Sequence, residues 1–298
     1  MLKQLILIAD MEGCSGIFDN DIMELRNGSD AWLKQGREKL TSDILAVCDA
    51  AKEFGIDEIL LYDGHYAGNA EYNVILNKLP SMVKVFDVPE RRFLWRRIRG
   101  QASLNPYGII TVGQHARNGE KNAYFDHTIQ TPPLKAFWIN NLHVAEIGTA
   151  ILNFCGVKSL ANIGCAASEK EAKELCSSVH HITVKDKSKN YEPSALETYS
   201  IIKEGVLTAL RNADNTKVVE LKGPFEFKLE LTRYYSFKAP KSLTWKGSFS
   251  KREAVWSAPS LEIGLELFHY VRNCIFISDE DKKRVIEEIK NGVYNTLE

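Results

Sequence analysis

Short runs rich in Val, Ile and Leu alternate with helical stretches over the first two thirds of the chain, and no other feature restricts the fold as much. The run LKQLILIA (2–9) leads into a long helical pattern over 31–55, where Leu40, Ile44, Val47 and Ala51 recur at helical spacing and Gly55 supplies the stop. DEILLYDGH (57–65) is the next strand and turn, followed by an expected helix near 70–78, the run MVKVFDV (82–88) and a helix over 90–100. YGIITVGQHA (107–116) has the texture of a buried strand, HVAEIGTAILNFCG (143–156) of a helix ending at Gly156, and KSLANIG (158–164) of another strand. The helix SEKEAKELCSS (168–178) with Ser168 as its expected N-cap, the strand HITVK (181–185) and a helix over 194–213 complete the series. Strands that are apolar throughout, each followed by a helix, belong in a sheet covered on its faces. The chain is therefore expected to be α/β, with a doubly wound, largely parallel sheet.

Near 214–218 the texture changes. After the polar ADNTK, PFEFKLELT (224–232) alternates apolar and polar residues, as in a half-exposed antiparallel strand. SLEIGLELFHYVRNC (260–274) and DEDKKRVIEEIKNGVYNTL (279–297) add two helices. The expected organisation is a large α/β domain over 1–215 and a smaller α+β domain over 216–298.

Charge narrows the classes of function. Lys plus Arg number 38 against 39 Asp plus Glu, so no global field favours nucleic acid or an anionic membrane surface. Asp10 interrupts the N-terminal apolar run too early for a signal peptide, and no apolar stretch reaches the roughly 18 residues of a membrane span. The cysteines (Cys14, Cys48, Cys155, Cys165, Cys176 and Cys274) form no CxxC pair, which fits free thiols in a reducing compartment. A cytoplasmic location is expected, with Cys14 set apart by its place in the opening turn.

The first strand ends in DMEGCSG (10–16), and the acids Asp10 and Glu12 are two residues apart, a spacing that aims both at one face. In an open α/β sheet, ligands bind beyond the carboxyl ends of the strands. Taken alone, such a pair can be two turn-capping acids. His65 follows the strand EILLY and His115 follows GIITV, so two imidazoles are expected at the same edge. Carboxylates and neutral imidazoles are the ligands of catalytic zinc, and a cation would offset the repulsion between the acids. Glu146 lies early in a helix among the small residues Ala145, Gly148 and Ala150; spacing alone reads it as an exposed helical glutamate.

The set DMEGCSG, DGH, GQHAR, DHT and AEIG, in this order, resembles the DppA-type D-aminopeptidase family of binuclear zinc metallopeptidases. The similarity in element order covers most of the first 215 residues and thins in the last third. The resemblance implies that Asp10, Glu12, His65, His115 and Glu146 hold two zinc ions per subunit, with Asp10 as the bridge. It also implies that His127, in DHT, is catalytic, that the substrate is a short peptide with a D-residue at its N-terminus, and that the protein is a homo-oligomer. Two departures stand out: Asp126 replaces the serine before His127, and Gly164-Cys165-Ala166 replaces Gly-Asp-Asp.

A magnesium-dependent phosphatase is the competing enzyme class, since those proteins also end an apolar strand in acids. They need a second aspartate where this chain has Glu12, and lysine rather than histidine near the metal. A non-catalytic metal-binding scaffold would keep the ligands but make His127 dispensable. The segment RRFLWRRIRG (91–100) is expected to be a solvated or subunit-facing helix rather than a nucleic-acid patch, and His143, His180, His181 and His269 to be structural or surface residues. Tyr234, Tyr235, Phe237, Trp245 and Trp256 are expected to be exposed and to support self-association, giving the 216–298 domain a role in oligomerisation or substrate gating.

Overall fold

The structure, a computed structural model, describes residues 2–18, 30–65, 72–86, 102, 105–129 and 132–290. In chain order its first elements are β1 (Gln4–Ala9), α1 (Arg37–Phe54), β2 (Glu58–Asp63), β3 (Val83–Val85), β4 (Gly108–Gln114), β5 (Leu134–Ile139) and β6 (Leu142–Val144). There follow α2 (Glu146–Asn153), β7 (Ser159–Cys165), α3 (Glu169–Leu175), β8 (His180–Lys185) and α4 (Ala195–Arg211). The last are β9 (Phe225–Leu231), β10 (Ser236–Phe237), β11 (Gly247–Phe249), β12 (Glu253–Ala258), α5 (Leu261–Arg272), β13 (Ile275–Phe276) and α6 (Asp279–Lys290). The chain divides into two compact units: 1–116 with 121–125 and 154–220, and 117–120 with 126–153 and 221–298.

The first unit carries a six-stranded sheet in the order β3-β2-β1-β4-β7-β8, every pair parallel. β1, β4 and β7 are buried at every position, so these strands need no polar face. Leu40, Ile44 and Val47 of α1 and Ile202, Val206 and Leu210 of α4 share one apolar cluster with Leu5 and Leu7 of β1, Ile110 of β4 and Ile163 of β7. Each such side chain contributes about 1.5–3 kcal/mol on burial. α4 begins at a reciprocal cap, in which Ser194 accepts from the Glu197 N–H and the Glu197 carboxylate accepts from the Ser194 N–H. The chain winds outward from β1 through β2 to β3, then restarts at β4 on the other side of β1. That reversal opens the crevice where α/β sheets bind ligands.

The second unit holds a five-stranded sheet in the order β11-β12-β9-β5-β6, antiparallel throughout, and the two-stranded β10–β13 pair. Phe137, Phe227, Trp256 and Phe268 stack into its core, with Phe227 and Trp256 5.4 Å apart between ring centroids. Gly264 admits α5 to this stack: a Cβ there would lie 1.9 Å from the Phe227 ring. The Trp256 indole donates to the Gly264 carbonyl at 3.0 Å.

Several expectations change. The segment 216–298 does not form a unit alone, because β9 pairs with β5 from residues 134–139. HVAEIG begins as the strand β6, the return arm of a hairpin turned by Asn140 at φ 53°, and only then becomes α2. The expected helix near 70–78 is a single tight turn at Leu76–Lys78 in its described part. Ser168 does not cap α3; its buried hydroxyl donates to the Cys165 carbonyl and accepts from Asn162. Trp256 is fully buried, while Tyr234, Tyr235, Phe237 and Trp245 are half-buried, so none of the five is an exposed aromatic. The segment 91–100 lies outside the described residues.

Candidate metal centre

β1 delivers Asp10 at its carboxyl end, where the Asp10 N–H donates to the Val112 carbonyl at 2.8 Å and the Gly13 N–H to Gly113 at 2.8 Å. The loop after β1 is thereby stitched to the end of β4. Gly113 makes the contact possible: it stands at φ 72°, and a Cβ there would meet the Asp10 carbonyl oxygen at 2.0 Å. β2 ends in the Asp63-Gly64-His65 turn, fastened to β1 by the Gly64 N–H donating to the Ala9 carbonyl at 2.8 Å. β4 ends one residue before His115.

Asp10, Glu12 and His115 are buried. His115 Nε2 lies 3.5 Å from Asp10 Oδ2, and His65 Nε2 lies 3.5 Å from Glu12 Oε1. One ligand atom each from Asp10, Glu12 and His65 falls within 4.8 Å of the others. Two ligands held about 2.0–2.2 Å from one ion at tetrahedral angles are about 3.4 Å apart. The observed nitrogen–oxygen separations fit that spacing, and the mixed carboxylate and imidazole donors suit zinc. The His115 tautomer fits as well. Its Nδ1 is 2.8 Å from the Ala116 carbonyl, which can only accept, so in the neutral ring the proton sits on Nδ1 and Nε2 turns its lone pair toward Asp10.

His65 is held by a device that its sequence neighbours do not reveal. Asn73, fully buried, donates through Nδ2 to the Asp63 carboxylate at 2.8 Å and to the His65 carbonyl at 2.5 Å. Its N–H donates to Asp63 at 2.6 Å, and its Oδ1 accepts from the Trp32 indole at 3.2 Å. Asp63 thus fixes the histidine after it through a residue ten positions on. Asn73→Ala should lower stability by about 1–3 kcal/mol, from buried hydrogen bonds lost, and weaken zinc binding about 10–100-fold. Thermal unfolding of the metal-free protein and chelator competition check the two effects; unaltered zinc affinity would deny Asn73 this role.

In the second unit, His127 Nε2 lies 3.7 Å from Oε1 of Glu146, the first residue of α2, and both side chains are mostly buried. Thr128, buried beside His127, donates to the Lys135 carbonyl of β5 at 3.3 Å. Asp126 accepts from the Gly119 N–H at 3.0 Å. Buried Arg117, the last residue of GQHAR, donates to the His143 carbonyl at 2.8 Å. His143 stacks on Trp138 and His181 bonds Asn162, as structural histidines do. Burial lowers the His181 pKa to about 4 and raises the Cys14 thiol well above its usual range, which makes Cys14 a packing residue.

Two acids and two imidazoles at the carboxyl ends of three adjacent parallel strands give this α/β protein a group of side chains that could hold a metal ion. The chain belongs to the D-aminopeptidase family, whose model matches residues 4–265. Among solved structures it is similar to the Zn-dependent D-aminopeptidase DppA from Bacillus subtilis, described as a self-compartmentalizing protease. Identity is 20%, coverage is 91% of this chain and 97% of that one, and the TM-score is 0.74, a likeness of fold. Curated proteins give no match. No helix among the described residues is long and apolar enough to cross a membrane.

Proposed function

We propose that the protein is a zinc aminopeptidase that removes an N-terminal D-amino acid from short peptides, using two zinc ions per subunit. Asp10, Glu12, His65, His115 and Glu146 are their ligands in this reading. The observation that carries this reading is the cluster of Asp10, Glu12, His65 and His115 at ligand-like separations, in a chain of the D-aminopeptidase family. Asp10 stands close both to His115 and to the Glu12–His65 pair, which supports its role as the bridging carboxylate.

Bound zinc supplies a Lewis acid and a water made acidic enough to act as nucleophile near neutral pH. The chain's own groups do the rest. Three carboxylates offset much of the charge of two divalent ions. His127 donates a proton to the departing amine or a hydrogen bond to the developing oxyanion. Glu146, 3.7 Å away, steadies the His127 ring. The six scattered cysteines and balanced charge support a cytoplasmic protein without nucleic-acid partners. Homo-oligomerisation is proposed from the similar protein, which is described as self-compartmentalizing.

Elemental analysis combined with hydrolysis of D-Ala-D-Ala and L-Ala-L-Ala in one preparation tests the proposal. Two zinc ions per chain and release of amino acid from the D-dipeptide are expected. Magnesium in place of zinc, or hydrolysis of a phosphate ester alone, would overturn it in favour of a phosphatase.

A further inference from the structure

Lys185, the last residue of β8, is fully buried, an expensive place for an ammonium group unless its partners are good. Its Nζ donates to the Glu12 carbonyl at 2.6 Å and to the Ile17 carbonyl. Three rings surround it, those of Phe18, Tyr124 and Phe125, with centroids 5.2, 5.5 and 5.4 Å from the nitrogen. Beside it, buried Asp43 of α1 accepts from the Ser15 N–H at 3.1 Å and the Ser15 hydroxyl at 2.8 Å.

The loop after β1 therefore has separate anchors. Asp10 and Gly13 bond the end of β4, and Ser15 bonds α1. The carbonyls of Glu12 and Ile17, five residues apart, converge on one charged nitrogen from the far side of the unit. Of these anchors, Lys185 is the one that grips the backbone of Glu12 itself. A hydroxyl could satisfy one of these carbonyls and a neutral amide both, but only the ammonium brings a full positive charge and three hydrogens on one atom to draw them together.

We infer that Lys185 is a positioning residue for the metal centre: its buried ammonium draws in the Glu12 and Ile17 carbonyls and so sets where the Glu12 carboxylate points. The inference rests on the proposed metal-binding role of Glu12. A side chain from the sixth strand thereby fixes a ligand that follows the first.

Lys185→Met fills nearly the same volume without a donor, and Lys185→Gln keeps a neutral one. For both, and for the wild-type chain, zinc affinity is read by chelator competition, cobalt-substituted protein by its visible spectrum, and the metal-free fold by thermal unfolding. Lys185→Met is expected to fold, to bind zinc about 10–100-fold more weakly and to show an altered cobalt spectrum; Lys185→Gln should fall between it and the wild type. Folded Lys185→Met with wild-type zinc affinity and an unchanged spectrum would overturn the inference. If neither variant folds, Lys185 stabilises the fold rather than the centre, and the inference fails too. A wild-type chain that takes up no zinc would overturn the metal reading itself, and this inference with it.

Discussion

His115→Ala is expected to lose zinc and peptide hydrolysis together. The ring sits at the end of β4 with Nε2 3.5 Å from Asp10 Oδ2, and the Ala116 carbonyl holds it in the tautomer that offers Nε2 as a ligand. Removing groups that only orient a ligand costs about 10–100-fold in metal affinity, so loss of a ligand should exceed about 100-fold. The strand itself should survive. β4 is buried at all its positions, and its packing does not depend on a residue beyond its end. The metal-free variant should therefore unfold close to the metal-free wild type, while elemental analysis finds well under the wild-type zinc content. Full zinc occupancy in His115→Ala would remove this residue from the centre and leave Asp10, Glu12 and His65 as a smaller site.

The parts of the site that were legible in the sequence follow from one regularity. Parallel strands end on one edge, so residues directly after β1, β2 and β4 had to lie there: Asp10, His65 and His115 could be placed before strand order was known. Strand order itself was hidden, since nothing in GIITV says that β4 lies beside β1. The supports were hidden for a related reason. Asn73 reads as a polar residue of the helix expected near 70–78, and Lys185 as a charge closing a strand. Their burial is decided by contacts with residues 8 to 173 positions away. The β5–β6 hairpin could have been found: LKAFWI followed by Asn-Asn is a strand and a two-residue turn, but the helical pattern of AEIGTAIL drew the preceding HV into it. The last third misled through its aromatics. Phe227 and Trp256 are the core of the antiparallel unit, and alternation along PFEFKLELT, rather than aromatic content, marked the buried face.

His127→Ala should give the opposite pattern to His115→Ala: metal kept, turnover lost. The histidine follows no strand, unlike His65 and His115, and its described ion-pair neighbour is the Glu146 carboxylate at 3.7 Å. If His127 supplies a proton or an oxyanion hydrogen bond, its removal should lower kcat by about 10²–10⁴-fold, the range for positioned acids, while KM changes little. Zinc content should stay at the wild-type value. Asp126→Asn should lower turnover less. Its carboxylate accepts from the Gly119 N–H and so shapes the loop carrying His127, a contact that the amide oxygen of Asn can still make in part. Near-normal turnover in His127→Ala would make the histidine structural and point to another acid, whereas a wild-type chain that holds zinc without turnover would point to a metal-binding scaffold. A variant that loses its zinc would instead make His127 a further ligand, and the proton it was assigned would have to come from elsewhere in the chain.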